Sequence, residues 1–214
     1  MIKEKSVRVR GPGRTSREDW LNVAMTTLVT EGVDQVKVLN LSRKLDCARS
    51  SFYWYFKNRT ELLNALIEVW ARTNTKVLVE AASAPAPSIG MALGNLLAVW
   101  VSPKNFDTKL DFAIRDWARR DPSVRRALDQ SEGARLEAIA GMFRRHDYSY
   151  SEADVRAQIV YFTQIGYHVQ DPLEARETRI ARARDYLYCL TGQHPTDLEV
   201  EALSVKAFES LQGT

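Results

Sequence analysis

Apolar residues recur at helical spacing along almost the whole chain after Gly13. Trp20, Leu21, Ala24, Met25, Leu28 and Val29 keep the three- and four-residue steps of one helix face. Ser16 with Asp19 matches a capping box at the start of that helix, and Gly32 stands where a left-handed cap would end it. A short helix over about Val38–Leu45, a tight turn and a second short helix over about Arg49–Phe56 follow. Asn58 and Glu61 then cap a long helix with the stripe Leu62, Leu63, Leu66, Ile67, Trp70, Val77 and Leu78. The small, proline-rich run Ala82–Ser88 breaks the pattern. Further helices are predicted near 88–101, 106–120, 122–146, 152–170, 174–190 and 197–211. Asp121-Pro122 supplies a start signal, and Gly192 with Pro195 separates the last two. No stretch alternates as a strand does, so the expected fold class is all-α.

Charge divides the chain in a way its total conceals. Residues 1–60 hold twelve Lys and Arg against six Asp and Glu, a net of +6, so the rest holds eighteen against twenty-one, a net of −3. A basic module on a slightly acidic body suits a partner that touches only the N-terminal end, and phosphate backbones attract such a patch. Within it, the arm Met1–Arg14 carries Lys3, Lys5, Arg8, Arg10 and Arg14. Two readings stay open for the arm: a solvated tail, or a strand that follows phosphates or enters a minor groove. No apolar run reaches the ~20 residues of a membrane span, and the N-terminus has no apolar signal core. The two cysteines, Cys47 and Cys189, lie far apart in apolar-patterned segments. The expectation is a reducing, cytoplasmic location without a disulfide or membrane contact.

The informative segment is Val38–Phe56, VLNLSRKLDCARSSFYWYF. Two short helices about a three-residue turn match the helix-turn-helix plan, whose second helix enters the major groove. Phe52 and Phe56 lie four apart and share a face that packs inward. Ser50, Ser51, Tyr53 and Trp54 project to the other side, beside Arg49 and Lys57. Hydroxyls and Arg reach base edges, and aromatics contact thymine methyls and sugars. The competing interpretation is a helix hairpin with its aromatics covered by the C-terminal body.

Residues 15–70 resemble the DNA-binding domain of the TetR family of regulators. The likeness rests on Phe52-Tyr53-Trp54-Tyr55-Phe56-Lys57-Asn58-Arg59, on the following Glu61-Leu62-Leu63, and on the spacing from Gly32. It implies a homodimeric repressor whose N-terminal domains bind a palindromic double-stranded operator and whose C-terminal domains dimerise and hold a small-molecule effector. By position it places Arg49, Ser50, Ser51, Tyr53 and Trp54 against the groove, and Tyr55 and Lys57 on phosphates. Lys37 stands where the family often has Thr or Ser, and serves a phosphate through its charge. Three positions depart from the family pattern. Asp46 replaces the usual turn Gly, and Asp can adopt the left-handed conformation at some cost. Ala48 replaces the capping Ser or Thr, and Cys47 fills a small apolar core position.

The resulting division is a basic arm over 1–14, a three-helix DNA-binding domain over 15–60, a long connecting helix over 61–82 and a helical dimerisation and ligand-binding domain over 88–214. Helix 152–170 carries two apolar faces: Val155, Ile159, Phe162, Gly166 and Val169 on one, Ala157, Tyr161, Gln164 and His168 on the other. A helix apolar all round must be covered twice. A second subunit, meeting helices 152–170 and 174–190, is the expected second cover. Candidate effector contacts are Trp100, Phe106, Trp117, Arg135, Met142, Tyr161 and His168, each also a candidate for plain core. Arg135 falls on the stripe Val124, Leu128, Ser131, Ile139 and Met142, where a cation needs a partner. That partner is an acidic ligand or a carboxylate of the chain, Asp111 or Asp116.

Enzyme chemistry finds little support. His146, His168 and His194 are widely separated, no HExxH or Cys/His cluster suits a metal, and no GxGxxG, P-loop or GxSxG element occurs. The expectation is a protein that is not an enzyme, with no cofactor, no metal and no catalytic residue. A helical protein-interaction module, or a small-molecule-binding protein, without DNA regulation is the alternative.

Overall fold

A computed structural model describes residues 15–170, 178 and 181–211. Most of these residues are helical, and no strand occurs among them. The helices are α1 (Arg17–Glu31), α2 (Val38–Lys44), α3 (Arg59–Trp70), α4 (Lys76–Ser83), α5 (Ile89–Val101), α6 (Thr108–Ala118), α7 (Pro122–Arg144), α8 (Tyr150–Gln170), α9 (Ala183–Thr191) and α10 (Asp197–Leu211). The basic arm Met1–Arg14 lies outside the described residues, as do 171–177, 179 and 180, which include Leu173 and Ile180 of the expected last-but-one helix. The chain divides into two compact units, Met1–Glu68 and Val69–Thr214.

Local chemistry accounts for most helix boundaries. Ser16 and Asp19 form both halves of a capping box at the start of α1. Ser88, Asp107 and Asp121 cap α5, α6 and α7 through their side chains, with Pro122 in the first turn of α7. Gly192 ends α9 in the left-handed region at φ 72°, ψ 7°. Gly32 ends α1 differently from the compact left-handed cap that its sequence suggests. Its φ of 82° with ψ of 167° is a region essentially reserved for glycine, because a Cβ would strain the backbone there.

In the N-terminal unit, Trp20, Leu28, Leu41, Phe52, Phe56, Leu62 and Leu66 are buried together. Phe52 meets Trp20 edge-on at 5.2 Å and stacks on Phe56 at 5.4 Å. The second unit packs α7 against α4, α6 and α8, and α5 against α4 and α10. Its apolar core runs through Leu93, Leu96, Trp100, Met142, Phe143 and Leu187.

The long helix expected over 61–82 is helical throughout, from Arg59 to Ser83, but changes its winding part-way along. Residues Ala71–Thr75 form a π-helical segment between α3 and α4. The stripe skips from Trp70 to Val77 in the sequence because the wide turn buries two polar residues, Asn74 and Thr75, in place of apolar ones. Helix α8 separates its two faces as its pattern requires. Ala157, Tyr161 and Gln164 are buried, whereas Val155, Ile159, Phe162 and Val169 remain about half exposed.

Candidate nucleic-acid interface

The turn after α2 is built from backbone bonds. Leu45 N–H donates to the Leu41 carbonyl, Asp46 N–H to Arg43 and Cys47 N–H to Ser42. Asp46 takes φ 49°, the left-handed conformation that its position demands of a non-glycine residue. Cys47 is half-buried, less enclosed than a core position. Ala48 enters the next segment in extended conformation, and no side chain caps it. The segment that follows is a 3₁₀ helix over Arg49–Trp54 and not the expected α-helix over Arg49–Phe56. The Ser51 hydroxyl donates to the Ala48 carbonyl at 2.9 Å and Ser51 N–H to the same oxygen at 3.0 Å. Such i→i+3 bonding at an uncapped start favours the tighter helix.

The tighter winding still buries Phe52 and Phe56 and leaves Tyr53 61% and Trp54 84% exposed. Large aromatics this open on a short helix mark a contact surface. Arg49, Ser50, Lys57 and Lys37 are exposed with them. Two of the expected contacts are already engaged inside the unit. The Tyr55 hydroxyl donates to the Thr15 carbonyl at 2.7 Å, and Ser51, half-buried, accepts from Thr15 Oγ1 at 3.3 Å. In this arrangement the only proton of the Tyr55 hydroxyl is not offered to a phosphate.

Two residues that position the reading surface carry no signal in periodicity. Arg59 Nε donates to the Val36 carbonyl at 2.6 Å and its Nη2 to the Val33 carbonyl at 2.8 Å, tying the start of α3 to the chain before α2. Arg17 lies 5.0 Å from the Phe56 ring centroid, a cation–π contact over the buried aromatic. Asn58 Oδ1 accepts from Glu61 N–H at 2.9 Å, and Glu61 accepts from Lys57 N–H at 2.7 Å, so α3 starts where its capping residues indicate.

Five of the seven candidate effector contacts meet in the second unit. Arg135 is 1% exposed, and its guanidinium lies 5.1 Å from the Trp70 ring and 5.8 Å from that of Phe106. It donates to Asp111 Oδ1 at 3.0 Å, to Thr75 Oγ1 from Nε at 3.1 Å and Nη2 at 2.9 Å, and to the Tyr161 hydroxyl at 3.3 Å. Asp111, not Asp116, is therefore its carboxylate. Trp100 faces Tyr161 at 6.4 Å, and Phe106 stacks on the half-buried His168 at 5.9 Å. Met142 lies in the apolar core, and Trp117 is buried outside that cluster.

Arg115 completes the cluster, bonding Asp111 at 2.9 Å, Glu132 at 2.6 Å and the Tyr161 hydroxyl at 2.8 Å. Two guanidiniums face two carboxylates, so the cluster is internally neutralised. Burial pushes the Asp111 carboxyl up, but Arg135 and Arg115, with hydrogen bonds from Arg135 and Trp70, outweigh it and hold the group below its ordinary 3.8. The folded state thus binds this proton less readily than the unfolded chain. Its contribution to stability is complete above the unfolded value and is lost as pH falls through the folded one. We expect the thermal midpoint to drop as pH is lowered from ~5 to ~3. In Asp111→Asn, less stable near neutral pH, that drop becomes shallower, and an equally steep drop would place the responsible carboxylate elsewhere.

Comparison with known proteins follows the same division. Residues 21–66 match the family described as bacterial regulatory proteins, tetR family. No curated protein matches the chain. Among solved structures, AmtR from Mycobacterium smegmatis superposes with a TM-score of 0.59 at 18% identity, covering 94% of this chain and 97% of that one. The fatty acid degradation regulator FadR from Bacillus halodurans gives 0.59 at 15% identity, covering 86% and 100%. The ketosteroid transcriptional regulator KstR2 of Mycobacterium tuberculosis gives 0.53 at 15%, covering 86% and 97%. The likeness to these three is one of fold.

Proposed function

Because residues 21–66 are a tetR-family domain of the bacterial regulatory proteins, we propose that the chain is a homodimeric repressor that reads a palindromic operator and is released by a small-molecule effector. The observation that carries DNA reading is the pair Tyr53 and Trp54, exposed beside Arg49 and Ser50 on a segment anchored from behind by Phe52 and Phe56. Lys37 and Lys57 supply phosphate contacts at its edges, and Tyr55 and Ser51 contribute as anchors of the segment. The exposed α8 stripe Val155, Ile159, Phe162, Gly166 and Val169 keeps four- and three-residue steps, the spacing of a two-helix seam. A second copy seated there pairs two reading segments and sets half-sites about one DNA turn, or a multiple, apart. The effector site is assigned to the cluster around Arg135, Tyr161, Trp100, Phe106 and His168, with Trp117 and Met142 as outlying candidates.

Selection of duplexes from a random pool by the full chain tests this reading. It should return palindromes whose affinity falls steeply with salt, as counterion release requires. Non-palindromic sites, or binding indifferent to salt, would favour a protein-interaction module. Lys57→Ala should weaken binding to all sequences alike and flatten the salt slope by about 1. A loss confined to one base position would contradict its phosphate role.

A further inference from the structure

Building on the DNA-reading role given above, we infer that residues 1–14 are a second reading element, which enters the minor groove flanking each half-site with Arg8 and Arg10. The geometry that points there is the place where this arm joins the folded unit. Thr15 lies along the flank of the reading segment and is bonded to it twice. Its carbonyl accepts from the Tyr55 hydroxyl at 2.7 Å, and its own hydroxyl donates to Ser51 Oγ at 3.3 Å. The capping box of Ser16 and Asp19 fixes the residue that follows. The arm therefore starts beside the segment that carries Tyr53 and Trp54, on the side of the unit that meets the duplex.

Charge gives the arm its partner. Residues 1–14 hold five Lys and Arg against one Glu, a net of +4, whereas residues 15–60 hold seven against five, a net of +2. Two of those seven are engaged within the unit, Arg59 on the Val33 and Val36 carbonyls and Lys44 on Glu31. A duplex thus meets more net countercharge in the arm than in the folded part of the module.

The kind and order of the cations select the groove. A reading segment seated in the major groove has a strand of backbone at its flank and the minor groove beyond it. Seven residues separate Thr15 from Arg8, ~23 Å when extended, against a major-groove width of ~12 Å. The three cations nearest Thr15 are Arg14, Arg10 and Arg8, and the two farthest are Lys5 and Lys3. Guanidiniums, planar and weakly hydrated, suit a narrow A·T-rich minor groove, whereas ammonium groups serve phosphates as point charges. In an extended chain the run Val7-Arg8-Val9-Arg10 sets both guanidiniums on one side. Gly11 and Gly13 carry no Cβ to hold the backbone off the strand it crosses.

The test uses the full chain and the half-site it selects from a random pool, set between flanks of A·T, inosine·C or G·C pairs. Inosine·C shows the A·T pattern in the minor groove and the G·C pattern in the major groove. Duplexes with A·T and inosine·C flanks should bind alike, at least about fivefold more tightly than the one with G·C flanks. Any other ordering, or equal affinity for all three, overturns the minor-groove role of the arm while leaving half-site reading intact. Arg8→Lys with Arg10→Lys keeps both charges and should bring the three duplexes within about twofold of one another at the same salt slope. A preference that survives this change does not come from the arm, and it overturns the inference too. If the full chain selects no half-site, the regulator reading fails. The arm is then judged on uniform duplexes of the same three compositions, where the same ordering supports it and any other overturns it.

Discussion

With Tyr53 and Trp54 both replaced by alanine, the protein stays folded but loses most of its preference for its selected duplex over unrelated DNA. Each side chain contributes contacts worth ~1–3 kcal/mol of sequence discrimination, so together they account for most of the margin over non-specific binding. The stability cost is small because Trp54 is 84% exposed and Tyr53 61% exposed. Tyr53 also meets Phe52 edge-on at 5.3 Å, and loss of that contact removes about 1 kcal/mol. The residual, salt-dependent affinity comes from Arg49, Lys37 and Lys57, which the substitution leaves in place. Mobility-shift titrations against selected and scrambled duplexes, with a thermal melt of each variant, measure both quantities. Full discrimination in the double variant would remove the reading role from the Arg49–Trp54 segment.

The second large effect falls on stability. Arg135→Met is expected to cost about 3–5 kcal/mol, because it breaks a buried ion pair from one side. Asp111 keeps Arg115 and the Trp70 indole N–H at 2.8 Å, but loses the guanidinium that bonds Oδ1 from within the core. Thr75 Oγ1 loses both of its Arg135 donors. The rings of Trp70 and Phe106 lose the cation beside them. Denaturant unfolding of wild type and variant measures the difference. A loss below about 2 kcal/mol would mean that the cation's principal partner is a ligand and not the chain.

The two predictions draw on information of different kinds. Helix positions, the all-α class and the inward pair Phe52 and Phe56 were legible in the sequence, because burial of an amphipathic face depends on spacing that a single chain displays. The caps at Ser16, Asn58 and Asp121 were legible for the same reason, since each acts on backbone within four residues. The left-handed turn residue Asp46 was indicated by the family resemblance, which has Gly at that position, and not by spacing.

What the tertiary structure decided depends on partners distant in the chain. Periodicity marked Arg135 as a cation on an apolar stripe, but only folding could choose Asp111 over Asp116 and add Thr75, 60 residues away. The family resemblance places Tyr55 on phosphate, and the fold turns its hydroxyl onto the Thr15 carbonyl, 40 residues off. The 3₁₀ winding of Arg49–Trp54 and the π turn at Ala71–Thr75 differ from α-helix by one hydrogen-bond step per turn. Such small differences are settled by side-chain bonds and by the packing each winding permits. Spacing thus determines which face of a helix turns inward, whereas three-dimensional proximity determines what that face meets.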